Sequence, residues 1–172
     1  QFHFGILLFI MSTIKTHISG EIVLEILKEK FDPDIKSVLS LMGGEMSQAF
    51  SFVSKETHFV IRFYKESTSF RKDKYAHDHF ASSQVPIPKT HKIGRLDDNS
   101  LYYSITDKVK GKNLDQLDQT TREKLILQEI EILHALHSSN IKQKGYGWWD
   151  QNGYAKYSSW QENLHAKKEH VD

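Results

Sequence analysis

The run from Ala49 to Tyr64 constrains the fold most. In it two β-prone segments, Ala49 to Val53 and His58 to Tyr64, flank the polar tetrapeptide Ser54-Lys55-Glu56-Thr57. Apolar runs this short, separated this closely, predict an antiparallel hairpin. The second segment carries one charge, Arg62, among apolar and aromatic residues. A guanidinium is expensive to bury unless something anionic meets it. Two readings stand on these residues alone. Either the strand is half exposed and Arg62 points to water, or Arg62 helps grip a phosphate together with backbone N–H groups of the preceding Gly43-Gly44 loop.

The rest of the chain reads as α+β around this hairpin. Ser19 can cap a helix to about Lys30, with Ile22, Val23, Ile26 and Leu27 on one face and Phe31-Asp32-Pro33 ending it. Ile35 to Met42 reads as a strand before the glycine loop, which gives a three-stranded meander. Ser67 to Ser83 lacks Pro and Gly and reads as a helix, with Asp73, Ala76 or His77, and Phe80 along one face. Val85-Pro86-Ile87-Pro88 must be extended. Thr90 to Leu96 and Leu101 to Thr106 form a second strand pair around Asp97-Asp98-Asn99-Ser100. Thr120-x-x-Glu123 predicts a capping box opening a helix to about Ser138, with Ile126, Ile130, Leu133 and His137 on its inner face. Lys144 to Trp160 shows no clear period and reads as an irregular packed segment, with a helix starting near Ser158.

Composition excludes several classes. With 26% charged residues and a formal net charge of +1, no global field argues for nucleic acid or an anionic membrane as partner. The absence of cysteine rules out disulfides, thiolate metal sites and cysteine nucleophiles, and favours the cytoplasm. The apolar stretch Gln1 to Ile10 is about half the length needed to span a bilayer. It reads either as sequence upstream of a start at Met11 or as a hydrophobic arm.

Helix, three strands, helix, two strands, linker and helix is the plan of a protein-kinase-like amino-terminal lobe. Several stretches carry a closer resemblance: Gly44-Glu45-x-Ser47-x-Ala49-Phe50-Ser51-Phe52, Val60-x-Arg62, Lys72-Asp73-x-Tyr75-x-x-x-His79-Phe80-Ala81-Ser82 and Pro86-Ile87-Pro88. Ile93-Gly94, Gly111-x-x-Leu114 and Gly147…Gly153…Tyr157-Ser158-x-Trp160 extend it. In this order and spacing they resemble the aminoglycoside phosphotransferase family, over roughly Ser19 to Leu164. The resemblance implies a five-stranded antiparallel sheet with a helix, then the beginning of a helical carboxy-terminal lobe. It divides the chain into a leader at 1–18, a kinase-like lobe at 19–107, a linker at 108–114 and the start of the helical lobe at 115–172.

The resemblance also implies roles. Arg62 stands where family members place the strand cation that holds the phosphates of ATP or GTP, often a lysine. Asp73 stands where the following helix supplies its acidic partner, usually a glutamate in kinases. Gly43, Gly44 and Ser47 take the place of the phosphate loop, without matching G-x-G-x-x-G. Asp107 to Val109 would be the linker backbone that meets the purine edge. The expected partners are a nucleotide with Mg²⁺ and a hydroxylated, aminoglycoside-like acceptor, with antibiotic resistance as the biological setting.

The departures are equally informative. The family draws its acceptor-orienting aspartate and metal ligands from a His-x-Asp-x-x-x-x-Asn loop and a later Asp, and no complete loop of this pattern occurs here. His77-Asp78-His79 has the wrong order, and His134 and His137 lack a third ligand at metal spacing. The expectation is therefore a nucleotide-binding part that does not catalyse transfer alone. The alternatives are a non-enzymatic fragment, a pseudokinase-like binding module, or part of a kinase acting on another hydroxylated metabolite.

Overall fold

Period-two alternation in the strands sets the layering of the molecule. The computed structural model describes residues 17–41, 47–96, 101–112, 114–139 and 145–168. Its elements are α1 (Gly20–Lys30), β1 (Val38–Leu41), β2 (Gln48–Ser54), β3 (Thr57–Tyr64), α2 (Thr68–Phe80), β4 (Thr90–Arg95) and β5 (Tyr102–Asp107). A 3₁₀ turn at Leu114–Gln116 leads into α3 (Gln119–His137), β6 (Tyr146–Trp149), β7 (Ala155–Tyr157) and α4 (Trp160–Lys168). The first five strands form one antiparallel sheet in the order β1-β2-β3-β5-β4.

Phe50 and Phe52 of β2, Phe59, Ile61 and Phe63 of β3, and Tyr103 and Ile105 of β5 share one face and are buried with Val23 and Leu27 of α1. Burying each such side chain contributes roughly 1.5–3 kcal/mol, so the α1 side of the sheet is where the core sits. The β2–β3 connection is tighter than the tetrapeptide suggested. Ser54 and Thr57 pair in the ladder, leaving a two-residue turn at Lys55 (φ 47°) and Glu56 (φ 66°). Positive φ at both turn residues matches the twist of the flanking strands.

The ends of α1 are tied to the sheet by side chains. Ser19 Oγ accepts from the Ile22 amide, and the Gln48 side-chain amide bonds both the N–H (2.7 Å) and the carbonyl (2.8 Å) of Ile18. Beyond α1, buried Asp32 accepts from Ser54 Oγ at the hairpin end and from the Asp34 amide. The Ser54 hydroxyl, followed by the Asp34 N–H, holds the Asp32 carboxyl below its ordinary value of 3.8. A depressed folded-state value means the bond stabilises fully above about 3.8 and is lost as pH falls through the folded value. The melting temperature of an Asp32→Asn variant should therefore fall less steeply than that of the parent on acidification from about pH 5 to pH 3. Parallel curves would remove Asp32 from the acid response.

Three sequence expectations need correction. The cap of α3 is Asp118, whose carboxylate accepts from both the amide (2.9 Å) and the hydroxyl of Thr121; Thr120 lies inside the helix. A carboxylate outcompetes a hydroxyl for helix-terminal N–H groups, and the capping box is not formed. The expected inner face of α3 is not covered: no residue of that helix is buried, and Ile126, Ile130 and Leu133 are exposed together with Leu127. Finally, the segment from 145 onward is not irregular. It is the β6–β7 hairpin followed by α4, whose Ser159 Oγ accepts from the Glu162 amide while the Glu162 carboxylate accepts from Ser158. No helix among the described residues is long and apolar enough to cross a membrane.

The turn of this second hairpin explains its docking on α2. The Asp150 carboxylate accepts from the amides of Tyr154 and Asn152, which lowers its pKa, and Gly153 adopts φ +82°. A Cβ at Gly153 would stand 2.2 Å from the Tyr75 ring of α2, while Trp149 packs on the same ring with centroids 5.4 Å apart. Gly153→Ala should therefore cost about 1–3 kcal/mol in urea unfolding, from backbone strain plus the clash. Gly111→Ala, also at positive φ (+139°) but facing open space, should cost clearly less. Equal losses would show that the Tyr75 contact carries none of the energy.

Candidate functional site

On the sheet face opposite the core, side chains are small or polar. Ala49 and Ser51 of β2, Val60 of β3, and Ser104 and Thr106 of β5 alternate with the core residues, and Ala49 and Ser104 flank Arg62 on either side. Alternation alone therefore sends Arg62 away from the phenylalanines. The same face carries Tyr64 and Tyr102 towards its end.

α2 supplies the anion that Arg62 needs. An Arg62 terminal N–H donates to the Asp73 carboxylate at 2.5 Å, with the two side chains 32% and 48% exposed. The guanidinium also lies 5.3 Å from the centre of the buried Phe70 ring, one helical turn before Asp73. An ion pair as exposed as this contributes only about 0–1 kcal/mol to folding. Its value is geometric: one donor edge is fixed on Asp73 and Phe70, and the planar fork keeps further N–H groups for a second anion. The shorter aspartate reaches the cation without a glutamate's extra methylene.

The other expected site residues fall differently. Ser47 is half-buried and immediately precedes β2, one residue from the strand that borders Arg62. Gly43 and Gly44 lie outside the described residues. Asp107 is not in a linker but ends β5, opposite Phe59. Its N–H donates to the Lys89 carbonyl and its carboxylate is bonded by His91 and the Lys89 amide, while the Lys108 N–H is spent on the His58 carbonyl. Strand pairing thus uses the first two amides of the expected purine-contacting segment. Val109 follows them and is exposed.

Sequence reasoning missed Phe70 and Ser104. The signal for Ser104 was present in Tyr102-Tyr103-Ser104-Ile105-Thr106, where small polar residues alternate with bulky ones. Ser104 is fully buried, and its hydroxyl has no hydrogen-bond partner. Among the described residues no three His, Asp or Glu side chains converge. His77 and His79 instead bond the carbonyls of Ile87 and Tyr75.

Known proteins share both sequence and architecture with the chain. Hygromycin-B 4-O-kinase of Escherichia coli is 31% identical over 153 residues, covering 88% of this chain and 44% of that enzyme. A thermostable mutant of aminoglycoside phosphotransferase APH(4)-Ia, crystallised as a ternary complex with AMP-PNP and hygromycin B, is 31% identical and matches with a TM-score of 0.78. It covers 87% of this chain and 50% of its own. The crystal structure of APH(4)-Ia gives a TM-score of 0.78 at 32% identity, over the same shares. The chain therefore spans about half the length of the relatives it matches. Its α+β fold, a five-stranded antiparallel sheet with helices, is the protein-kinase-like fold of these aminoglycoside phosphotransferases. The phosphotransferase enzyme family matches residues 39–171, and the chain belongs to that family.

Proposed function

We propose that this chain is the nucleotide-binding portion of an ATP- or GTP-dependent small-molecule phosphotransferase that modifies a hydroxyl of a hygromycin-like aminoglycoside in the cytoplasm, conferring resistance. The observation that carries the reading is the Arg62–Asp73 contact on the small-residue face of the sheet. A purine can lie against Val60 and its small neighbours, while Arg62 meets the phosphates through the N–H groups that Asp73 does not use. Ser47, Gly43 and Gly44 are assigned to the phosphate end, and Val109 with the carbonyl side of Asp107 to the base end.

Phosphoryl transfer itself requires an acceptor-orienting carboxylate and metal ligands. Of the His-x-Asp-x-x-x-x-Asn pattern the sequence holds the first three positions, as His170-Val171-Asp172, so we assign nucleotide capture to this chain and transfer to a polypeptide containing the whole loop. Calorimetric titration with Mg-ATP and Mg-GTP tests the assignment. The expected dissociation constant for at least one lies within roughly 1 μM to 1 mM, the span of ordinary substrate constants. Absence of saturable heat for both nucleotides would overturn it.

A further inference from the structure

We infer that a second ligand site, for a small organic phosphate, lies on the side of α2 turned away from Arg62, between that helix, β4 and the turn of the β6–β7 hairpin. An open cleft of about 390 Å³ lies there, within the size range of pockets that hold small molecules. Its volume exceeds what a bare phosphate fills and suits a phosphorylated sugar or a comparable monoester.

The walls supply the chemistry. Arg71, Lys74 and Asp78 recur at helical spacing on the α2 side, so two cations face one carboxylate. Lys74 is paired with Asp78, and Arg71 is tethered through Nε to Ser67 Oγ, leaving the terminal guanidinium nitrogens for another acceptor. The opposite wall is Thr90 to Ile93 of β4. The His91 side chain turns to Asp107 and the Lys92 side chain to the Lys30 carbonyl, so these residues present mainly backbone to the cavity. β4 is one of the two edge strands of the sheet, and alternate N–H groups of an edge strand have no ladder partner. They are the neutral donors that an anion accepts from.

Thr90 is the second, independent indication. It is 5% exposed, lies on the α2 side of the sheet opposite Thr106, lines the cavity, and its hydroxyl has no hydrogen-bond partner. A buried hydroxyl without a partner is unfavourable, a cost that a phosphate oxygen accepting from it removes. Tyr75 also lines the cavity, and its hydroxyl, close to Gly153, has no hydrogen-bond partner.

The experiment is a titration of the 172-residue chain with glucose 6-phosphate, followed by amide shifts in ¹H–¹⁵N correlation spectra, with glucose as the uncharged control. Saturable shifts are expected at His91 to Ile93 and along Arg71 to Asp78, with none from glucose. The Arg71→Gln/Lys74→Gln double variant, changed only at exposed side chains, should bind at least about tenfold more weakly. Arg62→Ala should leave these shifts within about twofold, which separates this site from the nucleotide site. Thr90→Val supplies a readout that general surface charge would not move: weaker binding together with an unchanged or higher melting temperature of the free protein. Shifts confined to the neighbourhood of Arg62, equal response to glucose, or full affinity in the double variant would each overturn the site.

Discussion

Arg62→Ala is expected to weaken Mg-ATP binding by about 10- to 100-fold while lowering the melting temperature by no more than a few degrees. A charge-assisted hydrogen bond to phosphate contributes about 1.5–3 kcal/mol, and each 1.4 kcal/mol is a factor of ten in affinity. The folding side of the balance is small, because the Arg62–Asp73 pair is about one-third to one-half exposed and such pairs contribute about 0–1 kcal/mol. Arg62→Lys keeps the charge but loses the fork, so it cannot hold Asp73 and a phosphate through separate edges of one plane. It should fall between the parent and the alanine variant. Asp73→Asn should lose less than Arg62→Ala, since the cation stays and only its orientation relaxes. Calorimetry paired with thermal melts checks the series. An alanine variant with parental affinity, or one whose affinity loss is matched by general unfolding, would remove Arg62 from the site.

The second large effect concerns catalysis. Incubated with Mg-ATP and hygromycin B, the chain alone should give no phosphorylated product above background. Joined to the carboxy-terminal half of a hygromycin-B 4-O-kinase, it should gain on the order of 10³-fold or more, because positioning and charge stabilisation at the acceptor need the complete catalytic loop. α3 gives this experiment a structural readout. Ile126, Leu127, Ile130 and Leu133 are each about half exposed or more, and covering each contributes roughly half of the 1.5–3 kcal/mol of full burial. Hydrogen exchange along α3 should therefore slow markedly in the joined protein. Transfer by the chain alone at a rate equal to the joined protein's would refute the division of labour; a joined protein that is active with α3 still unprotected would refute the docking face.

What was legible in the sequence was what local periodicity encodes. The strand read at His58 to Tyr64 carries Arg62 as its one charge among apolar residues, and the resemblance added Asp73 as its partner; the structure joins the two. The β6–β7 hairpin was missed because Tyr146-Gly147-Trp148-Trp149 does not alternate in polarity: Trp148 is 80% exposed and Trp149 is held by Tyr75. Its order comes from a helix far away in sequence, which no window of neighbours contains. The α3 stripe shows the converse limit, since periodicity reports that a face is apolar and says nothing of what covers it. The resemblance counted Asp107 with the linker backbone, yet it ends β5 and its carboxylate is bonded by His91 on the neighbouring edge strand.

The tyrosine of α2 that sits against Gly153 has a mechanical meaning. The helix bearing Asp73 is keyed to the second hairpin, and α4 packs on that hairpin through buried Asn163 against Gly147. The contact of Tyr75 with Gly153 thus joins the helix that pairs with Arg62 to a segment some eighty residues further along the chain. Tyr75 is where the helix that holds Arg62 meets the second hairpin.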